Sequence, residues 1–411
     1  MNIKNRLNKF IGAISFEMKW TLKDWIVTGL LLLMFVMGFL FLQVAITGYK
    51  GKIAQAKAFQ KQEKFNTSFH RSYRGYAVNG IGIKYMPPTF NIFVWNSGVN
   101  SEIDSHIDSS GQFKINHPFL KSAISNITRF FTLDFAGMIY IFGSLFWILM
   151  GWKTLRKIEY LKTLASISSS GNVFLRIVAA RCLVILGVIT ATIFSGLLLS
   201  HLNNLHIPLN KAFIGFWLKT VFISFLAFFI GIWCGTIRER VSSHYALFIL
   251  WISVFFIIPC TFQLVSASLS NLEESLKPYE IRKFKLVTDF DMKAEQIAGA
   301  LPFGAKIDDK HREIAKGISK NVIEKIISLE VEELNLVNNV ILDNDGLMSL
   351  FPTSNYMESL WDMGGTGYQS LKDFAHYTGT MKSEFMRYFI KKAYLTPGSS
   401  DFTPVESFIK G

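Results

Sequence analysis

Charge is scarce in this chain. Asp, Glu, Lys and Arg make up 18% of its 411 residues, against roughly 25% in a soluble domain. Cysteine is scarcer still. The three present, Cys182, Cys234 and Cys260, all fall inside apolar blocks and read as small packing residues, so neither long polar segment is a disulfide scaffold. The short signatures of common chemistry are missing too. No G-x-x-x-x-G-K-[ST] occurs, which excludes nucleotide binding through a P-loop. No G-x-S-x-G, H-E-x-x-H or C-x-x-C occurs either, which removes the familiar hydrolase, metalloprotease and dithiol signatures. There is no internal repeat and no low-complexity tract.

What is abundant is apolar. Half of the residues are hydrophobic, with 38 Phe and 9 Trp. Five blocks reach the roughly 20 residues needed to cross about 30 Å of hydrocarbon: residues 25–46, 135–152, 182–200, 213–235 and 245–265. Lys219 lies near one end of the fourth, where its stem can snorkel to the interface. Pro259 lies inside the fifth and is expected to kink it. The first block exceeds the 7–15 apolar residues of a signal-peptide core, so it reads as a retained span.

Charge in the short connections sets the expected orientation. Residues 1–24 hold five Lys/Arg against two acids. The 153–181 connection holds Lys153, Arg156, Lys157, Lys162, Arg176 and Arg181 against Glu159 alone. Arg238 and Arg240 flank Glu239 in the next cytosolic turn, whereas 201–212 has one Lys. Alternation then puts the N-terminus in the cytosol and two long segments outside, 47–133 (11 basic, 4 acidic) and 266–411 (17 basic, 21 acidic). The formal +13 is mostly topology plus one basic outer segment, a poor argument for nucleic acid.

The fold expected is mainly α, a polytopic membrane protein with two extracytoplasmic domains, the first α+β and the second mostly helical. Residues 1–24 form an amphipathic helix, with Ile11, Ile14, Met18, Leu22 and Trp25 on one face, able to lie flat on the membrane surface. Span 1 is 25–46, the first outer domain 47–133, spans 2–5 occupy 134–265, and the second outer domain is 266–411. Residues 153–164 extend the second span, 166–172 break the helix, and Val173 resumes it. In the first outer domain, Phe90-Asn-Ile-Phe-Val-Trp95 follows Pro87-Pro88 and has strand composition. In the second, Ile314, Ile318, Val322, Ile326 and Leu329 mark one helix face ending before a turn at Asp343-Asn-Asp-Gly346, and a further helix begins at Tyr368 and continues through Phe389.

Several constellations invite a chemical reading. Glu102, Asp104, His106 and Asp108 alternate at period two and could hold a cation from one strand face, but a solvated strand or loop is the preferred reading. Asp343-Asn-Asp-Gly346 resembles part of a calcium loop whose first ligand would fall on Ile341; a plain turn is preferred. Gly364-Gly-Thr-Gly367 lacks the Lys of a phosphate loop and reads as a link between helices. More informative is Glu159-x-x-x-Thr163-Leu164 in the basic 153–181 connection. A carboxylate and an apolar residue on a short helix suit docking into a partner's groove, although spacing alone allows a solvated hairpin equally.

With these residues assembled, the chain resembles the ABC-2 type permeases, the membrane subunits of one large class of ABC transporters. Phe16-Glu17-Met18-Lys19 resembles their interfacial elbow helix, Asp134 the Asp that opens their second span, and Glu159, Thr163 and Leu164 their cytosolic Glu-x-x-x-Thr-Leu segment. Ser168-Ser-Ser-Gly171 stands where many members carry Pro and Arg. Pro87-Pro88, Phe351-Pro352, Gly365-Thr366-Gly367 and Phe374 resemble a bacterial subgroup with large extracytoplasmic insertions. The family has six spans, so a sixth is expected beyond Gly411. The resemblance implies a permease subunit of a bacterial inner-membrane exporter, not itself an enzyme and carrying no cofactor. It implies that ATP and Mg sit on a separate ATPase dimer contacted by a coupling helix at Glu159–Leu164, and that a second permease subunit and membrane lipid are the other partners. Two rivals stand beside it. One is a membrane-anchored extracytoplasmic sensor. The other is an intramembrane enzyme, for which the spans offer no Asp/Glu pair or His cluster. The uncharged spans lean towards an amphipathic, lipid-like or peptide cargo.

Overall fold

A computed structural model describes residues 11, 12, 15, 16, 19, 23, 25–68, 79–94, 104–107, 114–116, 134–164, 171–237, 240–269, 272–298 and 309–390. It is mainly α. Five helices are long and apolar enough to cross a membrane: Leu31–Asn66, Phe135–Leu155, Ile177–Leu202, Lys211–Gly235 and Ser242–Val265. Each overlaps one of the five blocks expected from hydropathy, the first running on well past residue 46, because a run of about 20 apolar residues is a local property that packing does not alter.

The first helix, α1 (Trp25–Ser68), has 44 residues. At 1.5 Å per residue it is about 66 Å long, roughly twice the hydrocarbon thickness. The expected first span ends at residue 46, but the helix does not, because the Lys-, Ala- and Gln-rich run from 50 to 64 is made of good helix formers with no proline. Its second half is a strut for a small sheet. The Glu63 carboxylate accepts the Gly82 N–H at 2.9 Å, and a Cβ on Gly82 would lie 2.6 Å from the Phe59 ring. The sheet is antiparallel, ordered β1 (Ile81–Lys84), β2 (Asp104–Ile107), β3 (Lys114–Asn116). Ile81 faces Ile107 and Asp104 faces Asn116 across the ladder. Burial alternates along β1 and β2, as a half-buried sheet requires.

Residues Thr89–Val94 correct the expected strand: they form a 3-10 helix, opened by Asn91 N–H to the Pro88 carbonyl at 2.9 Å. Phe90, Asn91, Ile92, Phe93 and Val94 are all buried. Five consecutive buried side chains cannot come from one alternating strand face. The compact turn instead drives Phe93 against Phe135 (centroids 5.1 Å) and Phe90 against Phe216 (5.2 Å), plugging one end of the helical bundle.

The second of these five helices is continuous, α2, made of Phe135–Met138, a π turn at Ile139–Gly143, and Ser144–Leu164. Then come α3 (Gly171–Leu202) and α4 (Lys211–Gly235). The fifth, α5, comprises Arg240–Ile252, a π turn at Ser253–Ile257, and Ile258–Leu269. The bundle's closest approach is between α2 and α4. A Cβ on Gly151 would overlap the Phe228 carbonyl oxygen, and one on Gly231 would overlap that of Ile148. Such backbone contact is the usual basis of helix association in lipid, where apolar burial drives nothing.

Four further helices follow: α6 (Leu272–Ala298), α7 (Asp309–Ser349), α8 (Pro352–Met363) and α9 (Tyr368–Ile390). The turn expected at Asp343–Gly346 is absent. The helix runs through it because Ile326, Val337 and Met348 recur every 11 residues and are all buried on one face; Phe351-Pro352 is what ends it. The two long insertions pack on each other. Tyr85 meets Phe374 edge-on at 5.6 Å, and the Asn91 amide donates to the Gly364 carbonyl at 2.6 Å. Gly365 has φ +76, and a Cβ there would lie 2.5 Å from Pro88, so both its conformation and its space require glycine.

Candidate functional site

Proline in a helix removes the N–H owed to the carbonyl four residues earlier. For Pro259 that carbonyl is Phe255; in the preceding π turn, where bonds run to i−5 as from Ile258 to Ser253, Val254 is deprived as well. Both are rescued by side chains from other helices. The Tyr140 hydroxyl donates to the Phe255 carbonyl at 2.8 Å, and the Thr353 hydroxyl to the Val254 carbonyl at 2.9 Å. Tyr140 itself lies in the π turn of α2. Two local irregularities are thus joined directly, and π turns often accompany functional positions. Where a kink was expected at Pro259, the structure shows a π turn just before it and side-chain donors to the carbonyls it leaves open.

The same cluster seats α8. Tyr356 stacks on Tyr140 with centroids 5.6 Å apart. Its hydroxyl lies 3.2 Å from Thr220 Oγ1 on α4. Thr220 already donates its one proton to the Phe216 carbonyl at 2.7 Å, so Tyr356 is the donor. Burial pushes the Tyr356 phenol above its ordinary range, and the Asp134 charge adds to the rise; it stays a neutral donor. Lys219 is half-buried. Its ammonium donates to Asn355 Oδ1 at 2.9 Å and to the Ser359 hydroxyl, both on α8. At the start of α2, Asp134 is the N-cap, accepting the Gly137 N–H at 2.7 Å while 4% exposed. That satisfies one of the orphan donors of the first turn.

At the far end of the bundle, the Trp152 indole N–H donates to Ser243 at 2.6 Å and its ring lies 4.5 Å from His244. The backbone of α2 continues past Trp152 through Glu159 and Thr163 to Leu164. Those three positions are therefore helical and sit at the end of α2 opposite Tyr140 and α8. Their side chains lie outside the described residues. Of the expected interfacial helix, Phe16 and Lys19 are helical and exposed, Phe16 by 61%; Glu17 lies outside the described residues. Asp104 and His106 share one face of β2 as period two requires, and Glu102 and Asp108 lie outside the described residues. No group of three metal-ligating side chains occurs among the described residues. Gly364–Gly367 links α8 to α9, as expected of a loop between helices.

Sequence reasoning missed the Tyr140–Phe255–Thr353 cluster. Its one signal was Pro259, whose neighbours had to find donors somewhere. No family model, curated protein or solved structure matches the chain.

Proposed function

We propose that the chain is the permease subunit of a bacterial ABC transporter, working as an exporter in the cytoplasmic membrane with its N-terminus in the cytosol. A separate ATPase dimer docks on the 153–181 connection and hydrolyses ATP with Mg; this chain performs no catalysis. A second permease subunit, identical or a sister, completes the path. The observation that carries the reading is the continuity of α2 from Phe135 to Leu164. A push delivered at Glu159–Leu164 travels along one rigid element, about 45 Å for 30 residues, to Tyr140, and from there to α5 and α8. Two-state tilting of packed helices is an established form of such transmission. Glu159 would pair with a cationic or N–H group of the ATPase, and Leu164 would fill an apolar pocket. The test is Glu159→Lys. With the protein still inserted and paired, ATP hydrolysis is expected to continue while transport is lost; wild-type coupling in that variant would remove the assignment.

The seating of α8 on α2, α4 and α5 favours one second reading, a membrane-anchored sensor whose outer domain reports to the spans. Purification in mild detergent separates the two. A co-eluting ATPase supports the permease, and ligand binding without any ATPase supports the sensor.

A further inference from the structure

The buried face of α7 is not wholly apolar. Ile326, Glu330, Glu333 and Val337 follow one another at helical spacing, and all four are buried, Glu333 completely. Opposite them α6 supplies Lys283, also fully buried, and α9 supplies Lys382 at 5% exposure. The Lys283 ammonium bonds Glu330 Oε1 at 2.9 Å and the Glu333 carboxylate. Lys382 bonds the same Glu330 oxygen at 3.0 Å. The distribution is uneven. Glu330 takes both lysines, whereas Glu333 has Lys283 alone and its Oε1 has no hydrogen-bond partner among the described residues. A buried ion whose lone pairs are not all satisfied carries a desolvation penalty that its partner does not fully offset.

We propose that Glu333 is a proton-binding site of the extramembrane domain, and that gain or loss of this proton tightens or loosens the packing of α6 and α9 on α7. A proton from solvent water adds to the carboxylate, giving a neutral acid that removes one buried negative charge beside Glu330. Lys283 then keeps Glu330 as its charged partner. Burial, the largest cause, lifts the Glu333 carboxyl to about 7; Lys283 and Lys382 oppose the rise and Glu330 adds to it. No charged group of α5 or α8, which also pack against α7, is among those acting on it. Burial also lowers Lys382, against the pull of Glu330.

The sign follows from linkage. The folded carboxyl holds its proton more tightly than the unfolded one, near 4.5, so stability is fully present below about 4.5 and lost as pH rises towards about 7. The domain is therefore tightest in mild acid. This inference does not depend on the permease reading. The test is amide hydrogen exchange of the full chain in lipid nanodiscs at pH 5.5 and 8.0, corrected for intrinsic rates. Protection in segments around 283, 326–337 and 382 is expected to fall by about tenfold or more at the higher pH, while the bundle helices α2 and α4 do not change. In Glu333→Gln, the neutral mimic, the difference is expected to vanish. Equal protection of the wild type at both pH values overturns the proposal without any variant. A difference that persists in a folded Glu333→Gln protein assigns the titration to another group and overturns it too.

Discussion

At Gly151 and Gly231 the absence of a side chain is itself the interaction, since each Cα faces a carbonyl oxygen of the other helix. Adding one methyl at Gly151 forces α2 and α4 apart along their whole crossing. Overpacking of this kind costs about 1–3 kcal/mol. Gly151→Ala is expected to lower the thermal unfolding midpoint in detergent, and Gly187→Ala, at a position with open space around it, to leave it unchanged. Equal midpoints for Gly151→Ala and the parent would show that the helices do not touch there. Neither glycine is conspicuous in the sequence, because a small residue in an apolar run marks a close approach only once its partner is known. Lys219 makes the same point. Its position near a span end was legible, but its partners, Asn355 and Ser359, are 136 and 140 residues away.

Among the elements, α5 shows how a local defect becomes a junction. Pro259 leaves carbonyls without donors, and Tyr140 and Thr353 supply them. Tyr140→Phe strands the buried Phe255 carbonyl and is expected to cost about 1–3 kcal/mol. Pro259→Ala restores an N–H within reach of that carbonyl, so in that background the Tyr140→Phe loss is expected to shrink. Unfolding of the four proteins of this cycle measures the coupling directly. Strictly additive losses would mean that Tyr140 serves something other than the proline gap. The elements differ in how far the sequence announced them. Helices with a sustained apolar period, such as α9, were plain. Thr89–Val94 was not, because Phe, Ile and Val suit a strand and a buried 3-10 turn alike, and the choice was made by the pocket between α1, α2 and α4. The end of α7 was hidden for a related reason. Asp343–Gly346 has turn composition, but burial of Met348 just beyond it outweighs it.

At the scale of the whole molecule, both insertions meet the bundle at one end, through Phe93, Lys219 and Tyr356. The 153–181 connection leaves from the other, beyond Trp152 and Ser243. The five described helices long and apolar enough to span a membrane could be read from hydropathy alone. That Pro88, Asn91, Gly364 and Phe374 would gather in one unit could not, since it depends on contacts across 273 residues. The central claim is that the Glu159–Leu164 end of α2 faces the cytosol, where an ATPase could reach it. The direct measurement is labelling of intact cells with a membrane-impermeant thiol reagent, using single cysteines in a background lacking Cys182, Cys234 and Cys260. Lys57→Cys, on the exposed extension of α1, is expected to label, and Thr163→Cys to label only after the membrane is opened. Labelling of Thr163→Cys in intact cells, with Lys57→Cys protected, would contradict the account.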